Sequence, residues 1–130
     1  MSERRLAVVD DDVSIRESLP ALLLELGYAV RVYSSAEEFL GSGQVEETDC
    51  LILDIFLIGM SGPEMIRELG FRGTAIPTIY ITANTDDALR DKLLEQGAVD
   101  CLCKPFSDTA LLKALSAAFR VDQTDSSWET

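Results

Sequence analysis

Histidine is absent from the 130 residues, lysine occurs only at positions 92, 104 and 113, and no apolar run reaches the roughly 18 residues that cross a membrane. Each shortage excludes something. Without histidine, three cysteines are too few for a zinc site, and their odd number in a chain long enough to bury a core points to reduced thiols rather than staples. Cys50, Cys101 and Cys103 all lie in apolar runs and are expected to fill the core. The N-terminal Met1-Ser2-Glu3-Arg4-Arg5 leads into only a short apolar stretch, with no signal-peptide pattern, so a soluble cytoplasmic protein without a membrane partner is expected. Basic charge is short too. With 23 acids against 11 bases the formal charge is −12, which repels a phosphate backbone, and direct nucleic-acid binding is not expected.

What the chain has is alternation. Leu6-Ala7-Val8-Val9 is an apolar run that stops at Asp10-Asp11-Asp12. Ser14-Ile15-Arg16-Glu17 fits a capping box, and Ile15, Leu19, Leu22, Leu23 and Leu26 recur at helical spacing; Pro20 predicts a kink near Arg16 or a later start. Arg16 and the helix acids are expected on a solvated face. Ala29 to Tyr33 alternates as a second strand, and Ser35-Ala36-Glu37-Glu38 opens a short helix. Cys50-Leu51-Ile52-Leu53 reads as a strand covered on both faces and ending on Asp54. Ser61-Gly62-Pro63-Glu64 opens the next helix, Thr78 to Ile81 is a fourth strand ending in Thr82, and Asp86 to Gln96 a polar helix. Val99 to Cys103 is a fifth strand ending in Lys104, and Ser107 caps a last helix carrying Leu111, Leu112, Leu115 and Phe119.

Five strand–helix pairs in strict alternation with short joints specify one α/β domain: a doubly wound, five-stranded parallel sheet with helices on both faces. The domain is expected over residues 1–120, and residues 121–130, with the lone Trp128, as a polar, frayed tail.

In a parallel sheet all carboxyl ends share one edge, so Asp10, Asp11, Asp54, Thr82 and Lys104 converge there whatever their distance in sequence. Three carboxylates, a hydroxyl and an ammonium in one cleft suit phosphoryl transfer assisted by Mg²⁺, a hard cation that takes oxygen ligands. Asp11 and Asp54 are the expected direct ligands, and Asp10 positions a ligand or a water. A carboxylate can then act as nucleophile on phosphorus, with Lys104 and Thr82 on the phosphoryl oxygens.

The motifs Val8-Val9-Asp10-Asp11, Leu53-Asp54-Ile55 with Gly59-Met60-Ser61-Gly62, Ile81-Thr82-Ala83, Gly97-Ala98-Val99-Asp100 and Lys104-Pro105-Phe106 occur in that order from about Arg4 to Arg120. Together they resemble the CheY-like receiver domain of two-component response regulators. The resemblance implies strand order 2-1-3-4-5 and phosphorylation of Asp54 by a sensor histidine kinase or phosphotransfer protein. It further implies Mg²⁺, or Mn²⁺ in its place, held by Asp11, Asp54 and the Phe56 backbone carbonyl, and a phosphoryl group stabilised by Thr82, Ala83 and Lys104. The surface of the fourth helix, fifth strand and fifth helix would then rearrange for an unknown downstream protein or for homodimerisation.

Two positions depart from the family's pattern, and two more bear on phosphoryl lifetime. Ile58 stands where a proline usually precedes the glycine, and Cys101 stands at the coupling position that often holds an aromatic ring. Phe56 and Asn84 occupy positions that influence phosphoryl lifetime, and the Phe56 side chain cannot hydrogen-bond a water. The rivals are a receiver-like docking module without chemistry, a phosphohydrolase of the haloacid dehalogenase class, and more remotely a flavodoxin-like protein. The second lacks its general acid, because Phe56 stands two residues past Asp54, and the third lacks a phosphate-cradling loop. A chain ending ten residues past Arg120 reads as a stand-alone regulator or phosphorelay carrier, and equally as a fragment of a longer one.

Overall fold

The computed structural model describes residues 4–84 and 86–127, with the side chains of its last helix described through Phe119. β1 (Arg5–Val9), β2 (Ala29–Tyr33), β3 (Cys50–Asp54), β4 (Thr78–Thr82) and β5 (Asp100–Cys103) pair in parallel in the order β2-β1-β3-β4-β5. Between them run α1 (Val13–Glu25), α2 (Ala36–Leu40), α3 (Gly62–Phe71) and α4 (Asp87–Glu95), and α5 (Asp108–Ser127) follows β5. Both the alternation and the strand order expected above are present.

The sheet separates two apolar layers because successive strand residues face opposite sides. Ala7, Val9, Leu51, Leu53 and Tyr80 pack with Phe39 of α2, Met65 and Leu69 of α3 and Leu93 of α4. Leu6, Val8, Ile52, Ile79 and Ile81 pack with Leu19 and Leu23 of α1 and Leu111, Leu115 and Phe119 of α5. Every residue of β3 and β4 is buried, which is why these two strands read as unbroken or nearly unbroken apolar runs.

Local departures have physical causes. The cap of α1 is Asp12, the last of the three acids, whose side chain accepts from the N–H of Ser14, so the Ser14 box does not form. The helix then begins at Val13 and runs through Pro20 without a later start. Arg16 is half-buried with its Nε shielded from water, not on a fully solvated face. Cys50 and Cys101 are core residues as expected, but Cys103 is exposed, because it is the last residue of an edge strand. Ser61 forms a full capping box with Glu64 at the head of α3, and Ser107 caps α5. α5 continues past Arg120 to Ser127; Trp128 lies outside the described residues.

Candidate functional site

The carboxyl ends of β1, β3, β4 and β5 meet at one edge. Asp10 directly follows β1, its N–H donating to the carbonyl of Tyr33 at 3.1 Å, and its side chain is fully buried. Oδ1 of Asp10 accepts from the N–H of Asp12 at 2.8 Å. Its Oδ2 lies 2.8 Å from the ammonium of Lys104, which compensates its charge. Asp54 closes β3, and the N–H of Ile55 beyond it continues the ladder to the carbonyl of Ile81. Its Oδ1 accepts from the N–H of Phe56 at 3.1 Å, and its Oδ2 is 3.5 Å from Lys104 Nζ. Lys104 therefore stands between two carboxylates that belong to adjacent strands.

Asp11 joins the pair from the loop after β1. One carboxylate oxygen each from Asp10, Asp11 and Asp54 lie within 4.8 Å of one another. Crowding of this kind raises the cost of ionising all three. Burial above all, then the charge of Asp10, pushes Asp54 up from 3.8 to about 6, against the opposing pull of the Phe56 N–H and Lys104. Burial would lower Lys104, but the carboxylates of Asp10, Asp54 and Asp12 outweigh it and hold its ammonium more firmly protonated than usual. Three close carboxylate oxygens, two of them from buried residues, match the donor set of a hard divalent cation, so the residues present fit Mg²⁺.

The far side of the edge is quieter. Thr82 closes β4, is buried, and accepts on Oγ1 from the N–H of Asn84 at 3.0 Å. Its carbonyl takes the N–H of Lys104 at 2.7 Å, which ties the end of β4 to the residue that bridges the acids. Ala83 and Asn84 are exposed. Cys101 sits lower on β5, opposite Tyr80 in the ladder and inside the α2–α3–α4 layer. Burial raises its thiol, and Arg90 of α4 reaches its carbonyl at 3.3 Å and the Asp100 carboxylate at 3.2 Å. Thus Asp10, Asp11, Asp54 and Lys104 form one cluster, Thr82 is joined to it through the backbone, and Cys101 stands apart in the core.

Two residues were not anticipated. Gly62 donates its N–H to the carbonyl of Ile55, and a Cβ at this position would collide with the backbone carbonyl oxygen of Asp54 and press on Leu53 at 3.2 Å. Only glycine lets the head of α3 approach the acid this closely. The Glu37 carboxylate of α2 accepts from the N–H of Met60 at 3.0 Å, inside the loop that follows Asp54. Nothing in the local pattern distinguishes Glu37 from any other acid in a first helical turn; the Ser-Gly-Pro sequence of the α3 start was the available hint for Gly62. The side chains of Phe56 and Ile58 are 54% and 84% exposed, so neither is held by the core.

A doubly wound sheet that gathers an acid triad and a lysine at its carboxyl edge has its charged groups where such folds bind their ligands. Residues 6–116 match the response regulator receiver domain, and the chain belongs to that family. It is 41% identical to nodulation protein W of Bradyrhizobium diazoefficiens over 116 residues, covering 89% of this chain and 51% of that protein. The chain thus spans about half the length of that relative. Among solved structures it resembles the FixJ N-terminal fragment at a TM-score of 0.78 and 35% identity, covering 91% of this chain and 94% of that one. It also resembles chemotaxis protein CheY4 of Vibrio cholerae at a TM-score of 0.80 and 27% identity, covering 90% and 99%. Receiver domains of this family act in two-component systems with histidine kinases and generally use Mg²⁺. Among the described residues, no helix is long and apolar enough to cross a membrane.

Proposed function

We propose that the chain is a phosphorylated switch: Asp54 takes a phosphoryl group from a sensor histidine kinase or a phosphotransfer protein, and the surface of α4, β5 and α5 changes its affinity for a downstream protein. The observation that carries this reading is the Lys104 ammonium placed between two buried carboxylates, 2.8 Å from Asp10 and 3.5 Å from Asp54. A lysine so placed neutralises a phosphoryl oxygen arriving at Asp54 without having to be imported.

In the transfer, an Asp54 carboxylate oxygen bonds to phosphorus as the phosphorus–nitrogen bond of the donor imidazole breaks, and the electron pair returns to the ring nitrogen. Asp11 and Asp54, with the Phe56 carbonyl, would hold Mg²⁺ or Mn²⁺, and Asp10 would position a water ligand. Bound there, the cation would supply charge neutralisation at the phosphoryl oxygens. The Thr82 hydroxyl accepts from Asn84 and so keeps its own proton to donate to the phosphoryl group, with Ala83 next to it on the rim. Phe56 and Asn84 flank the position from which water would attack, and so set the lifetime of the acyl phosphate. Hydrolysis by that water returns the switch slowly to its resting state, with no separate substrate turned over.

As a stand-alone regulator, a phosphorelay carrier or the receiver part of a longer cytoplasmic regulator, the domain would act by contact with other proteins, homodimerisation through α4, β5 and α5 included. The test is uptake of phosphoryl from a small-molecule phosphodonor with Mg²⁺, read by intact mass. One phosphoryl group per chain is expected, absent without Mg²⁺ and absent in Asp54→Asn; equal labelling of Asp54→Asn sinks the reading. Beryllofluoride added with Mg²⁺ and followed by sedimentation tests dimerisation, which is discarded if the mass does not change.

A further inference from the structure

The loop between β3 and α3 is fastened by its own amides to two carboxylates from elsewhere in the chain. The N–H of Ile58 donates to Oδ2 of Asp11 at 3.3 Å, and the N–H of Met60 donates to Oε2 of Glu37 at 3.0 Å. Gly59 between them has φ +85°, and a Cβ there would come within 2.9 Å of Glu37 Oε2, so the missing side chain is what admits the carboxylate. The Ile58 side chain is 84% exposed and packs on little. What position 58 offers is therefore its N–H, which a proline would lack.

The geometry of the cluster gives the first bond a direction of effect. Asp11 keeps an oxygen within 4.8 Å of Asp10 and Asp54 while its Oδ2 receives the Ile58 N–H. The bond and the assembled cluster coexist, so the amide orients Asp11 rather than competing for it. Without a donor, mutual repulsion among three close acids would swing the least buried of them, Asp11, toward solvent.

We propose that Glu37 is a positioning residue for the divalent-cation site, acting through the loop: its carboxylate anchors Met60, and the anchored loop presents the Ile58 N–H to Asp11. The inference rests on the phosphoacceptor reading above. Glu37 touches neither the cation nor the phosphoryl group.

The experiment titrates Mg²⁺ alone into the full chain by calorimetry, with the Ile58 amide resonance followed in parallel. Glu37→Ala is expected to weaken Mg²⁺ binding about 3- to 10-fold, the scale of one hydrogen bond to a charged group at partial exposure. Glu37→Gln should stay within about 2-fold of the wild type, because its amide oxygen accepts the same bond. Ile58→Pro should weaken binding by a similar factor, and the double variant Glu37→Ala/Ile58→Pro by no more than the larger single loss, since both cut one path. In metal-free Glu37→Ala the Ile58 amide proton should move upfield. Wild-type affinity in Glu37→Ala overturns the inference, and so do losses that multiply in the double variant. A Glu37→Gln as weak as Glu37→Ala assigns the effect to charge alone and overturns it too. A wild type that binds no Mg²⁺ removes the phosphoacceptor reading itself, and this inference falls with it.

Discussion

At the β1–β3 side of the carboxyl edge, charged groups are held by one another: Asp10 and Asp54 by Lys104, Asp11 by a loop amide, and that loop in turn by Glu37. At the β4–β5 side Thr82 pairs with Asn84 two residues on, and Arg90 of α4 binds only the start of β5, away from that edge. The first half is electrostatically crowded and resists relaxation; the second is apolar beneath its rim, with Cys101 and Tyr80 side by side in the core. Charge added at Asp54 is therefore registered at once by the first half. It can reach the second through packing and through the backbone, by the Ile55 N–H to the carbonyl of Ile81 and the Lys104 N–H to that of Thr82. An aromatic ring at position 101 would supply a bulky moving part; a thiol supplies a small one.

The most severe way to break this contrast is to remove its shared residue. Lys104→Met keeps the length of the stem but leaves Asp10 fully buried without a counter-charge, and a loss of about 3 kcal/mol is expected in urea unfolding at neutral pH. A loss near zero would mean that Asp10 is compensated elsewhere and that the two halves are not joined there.

A milder test concerns Asp54. Its carboxyl is raised in the folded state from 3.8 to about 6, so between these values the native state binds more protons than the unfolded chain. Stability of the metal-free protein should accordingly fall as pH rises through this window, the reverse of an acid held by a salt bridge. Asp54→Asn should flatten that dependence and stabilise the metal-free protein at pH 7.5 by on the order of 1–2 kcal/mol, below the full value of the shift because the cleft is open. Thermal melts across this pH range check it, and Mg²⁺ should stabilise the wild type while leaving the variant little changed. A wild type whose stability rises through the window would remove the crowding from the comparison.

The smallest effect belongs to the quiet half. Arg90→Ala breaks an exposed pair with Asp100 and a long bond to the Cys101 carbonyl, and should cost about 0.5 kcal/mol or less in the same melts. A cost above that of Asp54→Asn would show that the β4–β5 side is held by charge after all.

Most of the site was readable because a parallel sheet gathers carboxyl ends: an apolar run ending in an acid, a threonine or a lysine locates each without knowledge of contacts. Asp10, Asp11, Asp54, Thr82 and Lys104 needed only the topology, and the strand order followed the resemblance. What escaped depends on contacts across the chain. Glu37 and Met60 lie far apart in sequence, and only folding brings α2 beside the β3–α3 loop. Asp12 outcompeted Ser14 as the helix cap because adjoining candidates differ by reach, which pattern does not encode. Cys103 fits the alternation of β5, yet an edge strand's last residue outruns the helices that cover it. Arg16 looked like any surface cation in a helix, and its buried Nε arises from the neighbours of α1, not from its own segment.

The contact at Gly62 has a mechanical meaning. The first residue of α3 rests against the peptide of the acid itself, with no side chain between them to bend or change rotamer. Such a joint transmits thrust without slack. A displacement of the last peptide of β3 by a few tenths of an ångström must push the whole helix or be refused by it, and α3 thereby works as a rigid stop that sets how far Asp54 can recede from Lys104.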